Sequence, residues 1–174
     1  MRLLPAPRPL LATVLTIVAC AALFAPSAFA KKAVIGPVAF DVPEDFTDAA
    51  GPPPSLHEDA SGITIEVSEL PPQALQEFKG PQFLEFLASR GYTNAAYENG
   101  ALKRNDPHTY VLADAAGKQG PESRFLLVLG GTNRAAIVTA YVPKSQIQNG
   151  HANRAAIEAI LSSASILPAA AAKP

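Results

Sequence analysis

The chain has 174 residues, of which 14 are Lys or Arg and 15 are Asp or Glu, so its formal net charge at pH 7 is −1. This balance excludes the basic excess by which proteins bind nucleic acid or an anionic membrane surface. The single cysteine excludes an intramolecular disulfide and a cysteine-based zinc site.

The N-terminus has the organisation of a secretory signal peptide. Arg2 and Arg8 precede an apolar run over residues 10–24, and the small-x-small triplet Ala28-Phe29-Ala30 follows. A positive start, an apolar segment and such a cleavage site are the three parts of a signal peptide. The run is also shorter than the about 20 residues that a membrane-spanning helix needs. We therefore expect a signal peptide over 1–30, cleaved after Ala30, and a periplasmic or secreted mature chain without a transmembrane segment.

Cys20 offers an alternative, in which the chain is cut before this residue and anchored by a lipid. Ile17-Val18-Ala19 resembles the small-residue box that precedes a bacterial lipoprotein cysteine. However, apolar residues 21–25 follow where lipoproteins carry a polar tether, whereas cleavage after Ala30 places Lys31-Lys32 at the new N-terminus. Release is the favoured interpretation, and the lipoprotein anchored at Cys20 stays open.

Cleavage after Ala30 predicts a single α+β domain over 31–167 and a disordered tail over 168–174. The 144 residues that remain are enough for one core that buries about two-thirds of the unfolded surface. Twelve basic residues then face fifteen acidic ones, a net charge of −3. Without cysteine this mature chain has no thiol chemistry, and its stability depends on packing.

Alternating apolar residues predict the first strands. They occur over 38–42 and, most clearly, over 63–68, where Ile65 lies on the buried face and Thr64 on the opposite one. Between these strands, residues 48–62 are rich in Gly, Pro and Ser, which predicts a loop.

The segment over 81–90 is predicted to be a helix, with Pro81 at its first position and Gly91 at its stop. A β-meander is expected after it, with a type I′ turn at Asn99-Gly100 and a strand around Tyr110. Residues 115–123 are predicted to be a polar loop.

Two apolar strands over 125–129 and 135–142, joined by a turn at 130–133, are predicted to be covered on both faces. A final helix, capped by Asn153, carries an apolar stripe at helical spacing. This order of elements predicts an α+β fold, with an antiparallel sheet of about six strands packed against helices.

Four segments give the chain a family resemblance. They are "VAFDVPEDF", "ITIEVSEL", "RFLLVLGGTNRAAIVTAYVPKS" and "AAIEAILSSASIL", which together cover most of residues 38–167. In these segments the chain resembles the superfamily of PsbP, the Ran-binding Mog proteins and their exported bacterial relatives. The resemblance implies an α-β-α sandwich on an antiparallel sheet, used for binding and assembly rather than for catalysis.

The candidate site residues are His57, Glu58 and Asp59, with His108 as a more distant partner. Oxygen-rich loops hold calcium and imidazoles hold transition metals, so this set makes a metal site possible. Adjacent residues point apart, however, and no H-x-x-H spacing supplies a second ligand. A solvated loop is the favoured interpretation of residues 57–59, a turn that of His108, and a capping or solvent-facing role that of His151.

No frame for a nucleophile of the G-x-S-x-G type is present in the sequence. Gly130-Gly131 continues into a strand and not into a helix, so a phosphate-binding loop is excluded there. The carboxylate pairs Glu44-Asp45 and Glu58-Asp59 are expected to be solvated. We therefore predict a non-enzymatic protein without a cofactor, which binds an envelope protein or assists assembly or stress tolerance. A small-molecule or metal-binding module using the loop around His57, and a hydrolase with a site invisible in the sequence, are the alternatives.

Overall fold

The computed structural model describes residues 30–49, 51–118, 120–147 and 152–168. Residues 1–29 of the predicted signal peptide, with Cys20, lie outside the described residues, whereas Ala30, its predicted last residue, is the first residue of a described strand. The same holds for His151, for the side chain of Asn153 and for the tail beyond residue 168.

Within these ranges the chain forms ten strands and three α-helices. In chain order they are β1 (Ala30–Ile35), β2 (Val38–Pro43), β3 (Thr47–Ala49), β4 (Ser55–Glu58), β5 (Ile63–Leu70), α1 (Pro81–Ser89), β6 (Thr93–Tyr97), β7 (His108–Gly117), β8 (Gly120–Gly130), β9 (Ala135–Pro143), α2 (Lys144–Ile147), α3 (Ala152–Ser163) and β10 (Ser165–Ile166). Short 3-10 turns occur at Pro72–Gln76 and Asn99–Ala101. No described helix is long and apolar enough to cross a membrane.

The strands form two antiparallel sheets, which corrects the prediction of one sheet with about six strands. The large sheet has seven strands in the order β3-β4-β5-β9-β8-β7-β6, and the small one has the order β1-β2-β10. Two of the additional strands, β3 from its second residue and all of β4, lie in the region 48–62 that was predicted to be a loop. Backbone pairing explains the difference, because Leu56 lies opposite Ile65 of the regular strand β5 and is buried.

Two predicted connections also differ. In place of the expected polar loop over 115–123, β7 and β8 continue to pair as far as Gly117 and Gly120, with Ala115 opposite Glu122. The expected type I′ turn at Asn99-Gly100 is a 3-10 turn. There the Asn99 side-chain oxygen accepts a hydrogen bond of 2.6 Å from the Tyr110 amide. The side chain thus satisfies a strand amide that a backbone carbonyl of a paired strand would otherwise bind.

One face of the large sheet carries the main core. Its side chains, such as Ile65, Phe125 and Val138, pack against the small sheet and α3. The apolar stripe predicted for the last helix is buried as expected, at Ile157, Ile160, Leu161 and Ala164. Arg104 links this helix to the preceding connection. Its Nη1 donates hydrogen bonds to the carbonyls of Leu161, Ser162 and Ala164, at 3.0, 3.1 and 2.6 Å.

The other face of the large sheet is only half covered. Helix α1 packs Phe83 and Leu87 on β7 and β8, at Val111, Ala113 and Leu126. On β4, β5 and β9 the outward side chains are half-buried or exposed, except Ala135, which is buried; the 3-10 turn Pro72–Gln76 also contacts β9. The prediction that residues 125–129 are covered on both faces is confirmed, whereas 135–142 alternate between buried and half-buried positions. We call this uncovered part, with its outward residues on β4, β5 and β9, the open half-face.

Candidate functional site

The open half-face ends in a cleft of about 480 Å³. The β7–β8 hairpin, with Lys118 and Pro121, forms one side, and the β4–β5 connection with Gly62 lies on the other. Clefts of this volume are in the range of small-molecule sites. The cleft is therefore the candidate functional site among the described residues.

A row of four side chains runs through the cleft, perpendicular to the strands. His57 on β4 lies opposite Thr64 on β5, Thr64 opposite Tyr141 on β9, and Tyr141 opposite Arg124 on β8. Neighbouring strands are about 4.8 Å apart, so the row spans about 14 Å. Residues directly opposite one another share a face of the sheet. The register therefore places all four side chains on the same face of the large sheet, three of them on the open half-face and Arg124 beside it on β8.

Arg124 is held between two tyrosine rings. Its guanidinium carbon lies 4.8 Å from the ring centroid of Tyr92 and 5.0 Å from that of Tyr141. Nε donates a 2.6 Å hydrogen bond to Glu122 Oε1, and Nη1 donates one of 2.7 Å to the Tyr92 hydroxyl. Burial lowers the pKa of Arg124, but these two hydrogen bonds outweigh it and raise the pKa above its usual value. Arg124 is therefore a fixed, permanent cation.

Within the described part of the chain, Nη2 of Arg124 has no hydrogen-bond partner. No buried side-chain nitrogen or oxygen there lacks one. Nη2 is consequently not fully buried, and no described residue accepts a hydrogen bond from it.

Tyr141 and Glu66 form the second pair of the cleft. The Tyr141 hydroxyl donates a 2.7 Å hydrogen bond to Glu66 Oε2. Burial raises the pKa of Tyr141, and the neighbouring Glu66 carboxylate raises it further. The phenol is therefore protonated at neutral pH and acts as a donor, not as a base.

The predicted set of His57, Glu58 and Asp59 does not converge on one point. His57 faces the cleft, with Nδ1 2.9 Å from Thr64 Oγ1 and Nε2 3.4 Å from Asp59 Oδ1. Glu58 belongs to the opposite face of β4, where its carboxylate accepts a hydrogen bond from the Ser61 hydroxyl. No group of three or more metal-ligating side chains occurs among the described residues.

His108 lies far from His57. It starts β7 at the opposite end of the sheet, in the register row of Leu129 and Ala136. Four strand spacings and five residues along a strand separate the two histidines, which corresponds to about 25 Å. Its ring nitrogens contact the backbone carbonyls of Asp106 at 2.8 Å and Asn99 at 3.3 Å, so the ring holds the connection before β7.

The contacts of Thr64, His57 and Asp59 have the order of a nucleophile, a base and an orienting carboxylate. Two features weaken this chemistry. Asp59 is 93% exposed, so it does not fix the imidazole. Thr64 lies in the middle of a regular ladder between β4 and β9, and not on the strained turn that exposes a nucleophile beside an oxyanion hole.

The residues that build the cleft most firmly were not singled out from the sequence: Glu66, Tyr92, Glu122, Arg124 and Tyr141. One local signal was present, because Arg124 interrupts the start of an otherwise apolar strand. The pairing of β5 with β9, which brings Glu66 to Tyr141, joins positions 75 residues apart. No local pattern reports such a pairing.

No protein-family model and no curated protein matches the chain. A solved structure shares its architecture. The solution structure of cyanobacterial PsbP (CyanoP) from Synechocystis sp. PCC 6803 has a TM-score of 0.52 at 12% identity, over 82% of this chain and 96% of CyanoP. The chain has a PsbP-like fold. The resemblance predicted from the four sequence segments is thereby confirmed at the level of the fold.

Two further structures are similar to parts of the chain. A crystal structure from Bacteroides thetaiotaomicron VPI-5482 has a TM-score of 0.48 at 13% identity, over 80% of this chain and 50% of its own, so the chain spans half of that protein's length. LpqN of Mycobacterium tuberculosis, a protein involved in cell envelope biogenesis, has a TM-score of 0.45 at 11% identity, over 82% and 88% of the two chains. At such identities the likeness concerns the fold, which hosts different functions in different proteins.

Proposed function

We propose that the protein is an exported, non-catalytic binding module of the bacterial envelope. It engages an envelope protein through the open half-face of the large sheet, and it serves assembly or stress tolerance. The PsbP-like fold supports a binding role by analogy only. The observation that carries the proposal is the uncovered face over β4, β5 and β9.

The chemistry of this face agrees with binding. Its polar side chains pair with one another, as Tyr141 does with Glu66 and Arg124 with Glu122. Such pairs hold side chains in fixed positions, and a preorganised surface loses less entropy when a partner binds.

The second candidate function is hydrolysis, favoured by the line of contacts from Thr64 through His57 to Asp59. A reaction centre in a mature chain without Cys20 would depend on a histidine as acid, base or ligand. The triple variant His57→Ala, His108→Ala, His151→Ala therefore separates the two functions. We expect it to complement a deletion strain nearly as well as the wild type.

The surface itself is tested by adding bulk and charge. Ser68→Arg, at an exposed position of β5 on the open half-face, should abolish complementation without changing the melting temperature. Gln82→Arg, on the exposed side of α1, is the matched control and should complement. If the triple-histidine variant folds but does not complement, the proposed binding function is wrong and catalysis or metal binding takes its place. Full complementation by Ser68→Arg would place the binding surface elsewhere.

A further inference from the structure

The charges of the cleft balance. Of the described residues that line it, Lys118 and Arg124 are cationic and Glu66 and Glu122 are anionic, with His57 counted as neutral. A charged ligand would meet as much repulsion as attraction at close range. The cleft is therefore suited to a ligand without net charge.

Donors and acceptors stand side by side in this cleft. The Arg124 guanidinium and the Glu122 carboxylate are 2.6 Å apart, and no described residue accepts a hydrogen bond from Arg124 Nη2. The Glu66 carboxylate, held by the Tyr141 hydroxyl, adds a second acceptor. A hydroxyl group both donates and accepts, so neighbouring hydroxyls on one ligand can donate to a carboxylate and accept from the guanidinium or the Lys118 ammonium.

Apolar side chains line the cleft next to these groups. The Tyr141 ring, Pro121 and Pro143 line the cleft, and Gly62 and Gly120 add backbone without side-chain bulk. A sugar ring presents carbon-bound hydrogens on its faces and hydroxyls at its edge, which matches an apolar wall beside charged pairs. The row from His57 to Arg124, about 14 Å long, extends beyond a single ring.

We propose that the cleft binds a neutral oligosaccharide. Its hydroxyls bind the Arg124–Glu122 pair, Glu66 and Lys118, and a ring face lies against the apolar wall. The cleft shares Glu66 and Tyr141 with the face that we propose engages an envelope protein, and Arg124 lies beside that face, but saccharide binding can be measured without that partner.

Gly117 keeps the acceptor side in place. A Cβ atom at this position would overlap the Glu122 carboxylate, at Oε2. The Cβ atom would also lie only 2.9 Å from the Gly120 backbone carbonyl oxygen. Gly117→Ala would therefore displace the carboxylate that pairs with Arg124 and shift the hairpin, and we expect weaker saccharide binding without the loss of any lining side chain.

Titration calorimetry of the purified protein with cellotriose, maltotriose and chitotriose tests the proposal. We expect at least one of the three to bind, and Arg124→Met to weaken its binding by about tenfold or more. Arg134→Met is the matched control, because Arg134 pairs with Glu69 outside the cleft, and it should leave the affinity unchanged. Lys118→Met, at an exposed hairpin position, gives a second variant in case Arg124→Met does not fold, and it should also weaken binding.

Three outcomes would overturn the inference. They are no heat of binding with any of the three sugars, equal affinity in the wild type and Lys118→Met, and displacement of the sugar by inorganic phosphate, which would indicate an anion site. If saccharide binding fails while Ser68→Arg still abolishes complementation, the proposed protein-binding function stands alone.

Discussion

Removing the side chain of Ile65 tests the architecture at its centre. Ile65 is fully buried on β5, between Leu56 of β4 and Ala140 of β9, and belongs to the core shared with the small sheet and α3. Thr64, the preceding residue, points to the cleft on the opposite face and is half-buried. The same strand thus offers a core position and its own control.

The magnitude follows from the atoms removed. Ile65→Ala deletes three carbon atoms, which is about 2.4 kcal/mol of transfer free energy at about 0.8 kcal/mol each. If the surrounding core leaves a cavity of about 50 Å³, a further cost of about 1.2 kcal/mol arises at about 24 cal/mol per Å³. The expected loss is therefore about 3.6 kcal/mol in the free energy of unfolding. For a chain of this size it lowers the melting temperature by about 12–15 °C.

Urea denaturation, followed by circular dichroism, measures this loss. The midpoint should fall while the dependence on urea stays constant, because the same surface is exposed on unfolding. Thr64→Ala should cost about 1 kcal/mol, mainly through strand propensity and the contact with His57. Equal losses for the two variants would refute the assignment of faces, since they would mean a strand covered on both sides or a register shifted by one residue.

Three other predictions concern the N-terminus, the end of α3 and acid stability. Intact-mass measurement of the exported protein should give an unlipidated chain that starts at Lys31, and a diacylated chain from Cys20 would contradict cleavage after Ala30. Arg104→Ala should lower the free energy of unfolding by about 3 kcal/mol, measured by urea denaturation, because the side chain is 4% exposed and its carbonyl partners lose a charged donor. Burial raises the pKa of Asp106, but hydrogen bonding to Arg104 and its charge outweigh this and lower the pKa below its usual value. The stability from this pair is therefore present above the usual aspartate pKa and lost as the pH falls through the lowered one. The difference in melting temperature between the wild type and Arg104→Ala should decrease between about pH 6 and about pH 3. A constant difference would show that the Arg104–Asp106 pair does not contribute to the stability lost in Arg104→Ala.

Short-range patterns in the sequence determined the regular elements. The alternation around Ile65 predicted β5, and Pro81 with Gly91 predicted the bounds of α1 to within a residue. Gly91 has a φ of 84°, the left-handed conformation that suits a residue just beyond a helix. These signals work because side-chain period and backbone preference act over a few residues, which are all visible in one stretch of sequence.

Pairing with a partner strand decided the elements that the patterns missed. Residues 55–58 follow three prolines and have little strand propensity of their own. They form a strand because their backbone pairs with β5, which also buries Leu56. The hairpin around Gly117 and Gly120 forms although glycine and proline favour a loop there, because β7 and β8 continue their pairing to its end. In both places the ladder of a neighbouring strand outweighs local propensity.

The cleft depended on tertiary structure most of all. The sequence by itself indicated an exported α+β protein without a recognisable nucleophile motif, and it gave His57 as a candidate site residue. Only the register of β4, β5, β9 and β8 placed His57, Thr64, Tyr141 and Arg124 in one row. The physical reason is that a cross-strand row joins residues far apart in the chain. The backbone hydrogen bonds that align the strands do not depend on the identity of the side chains that they bring together.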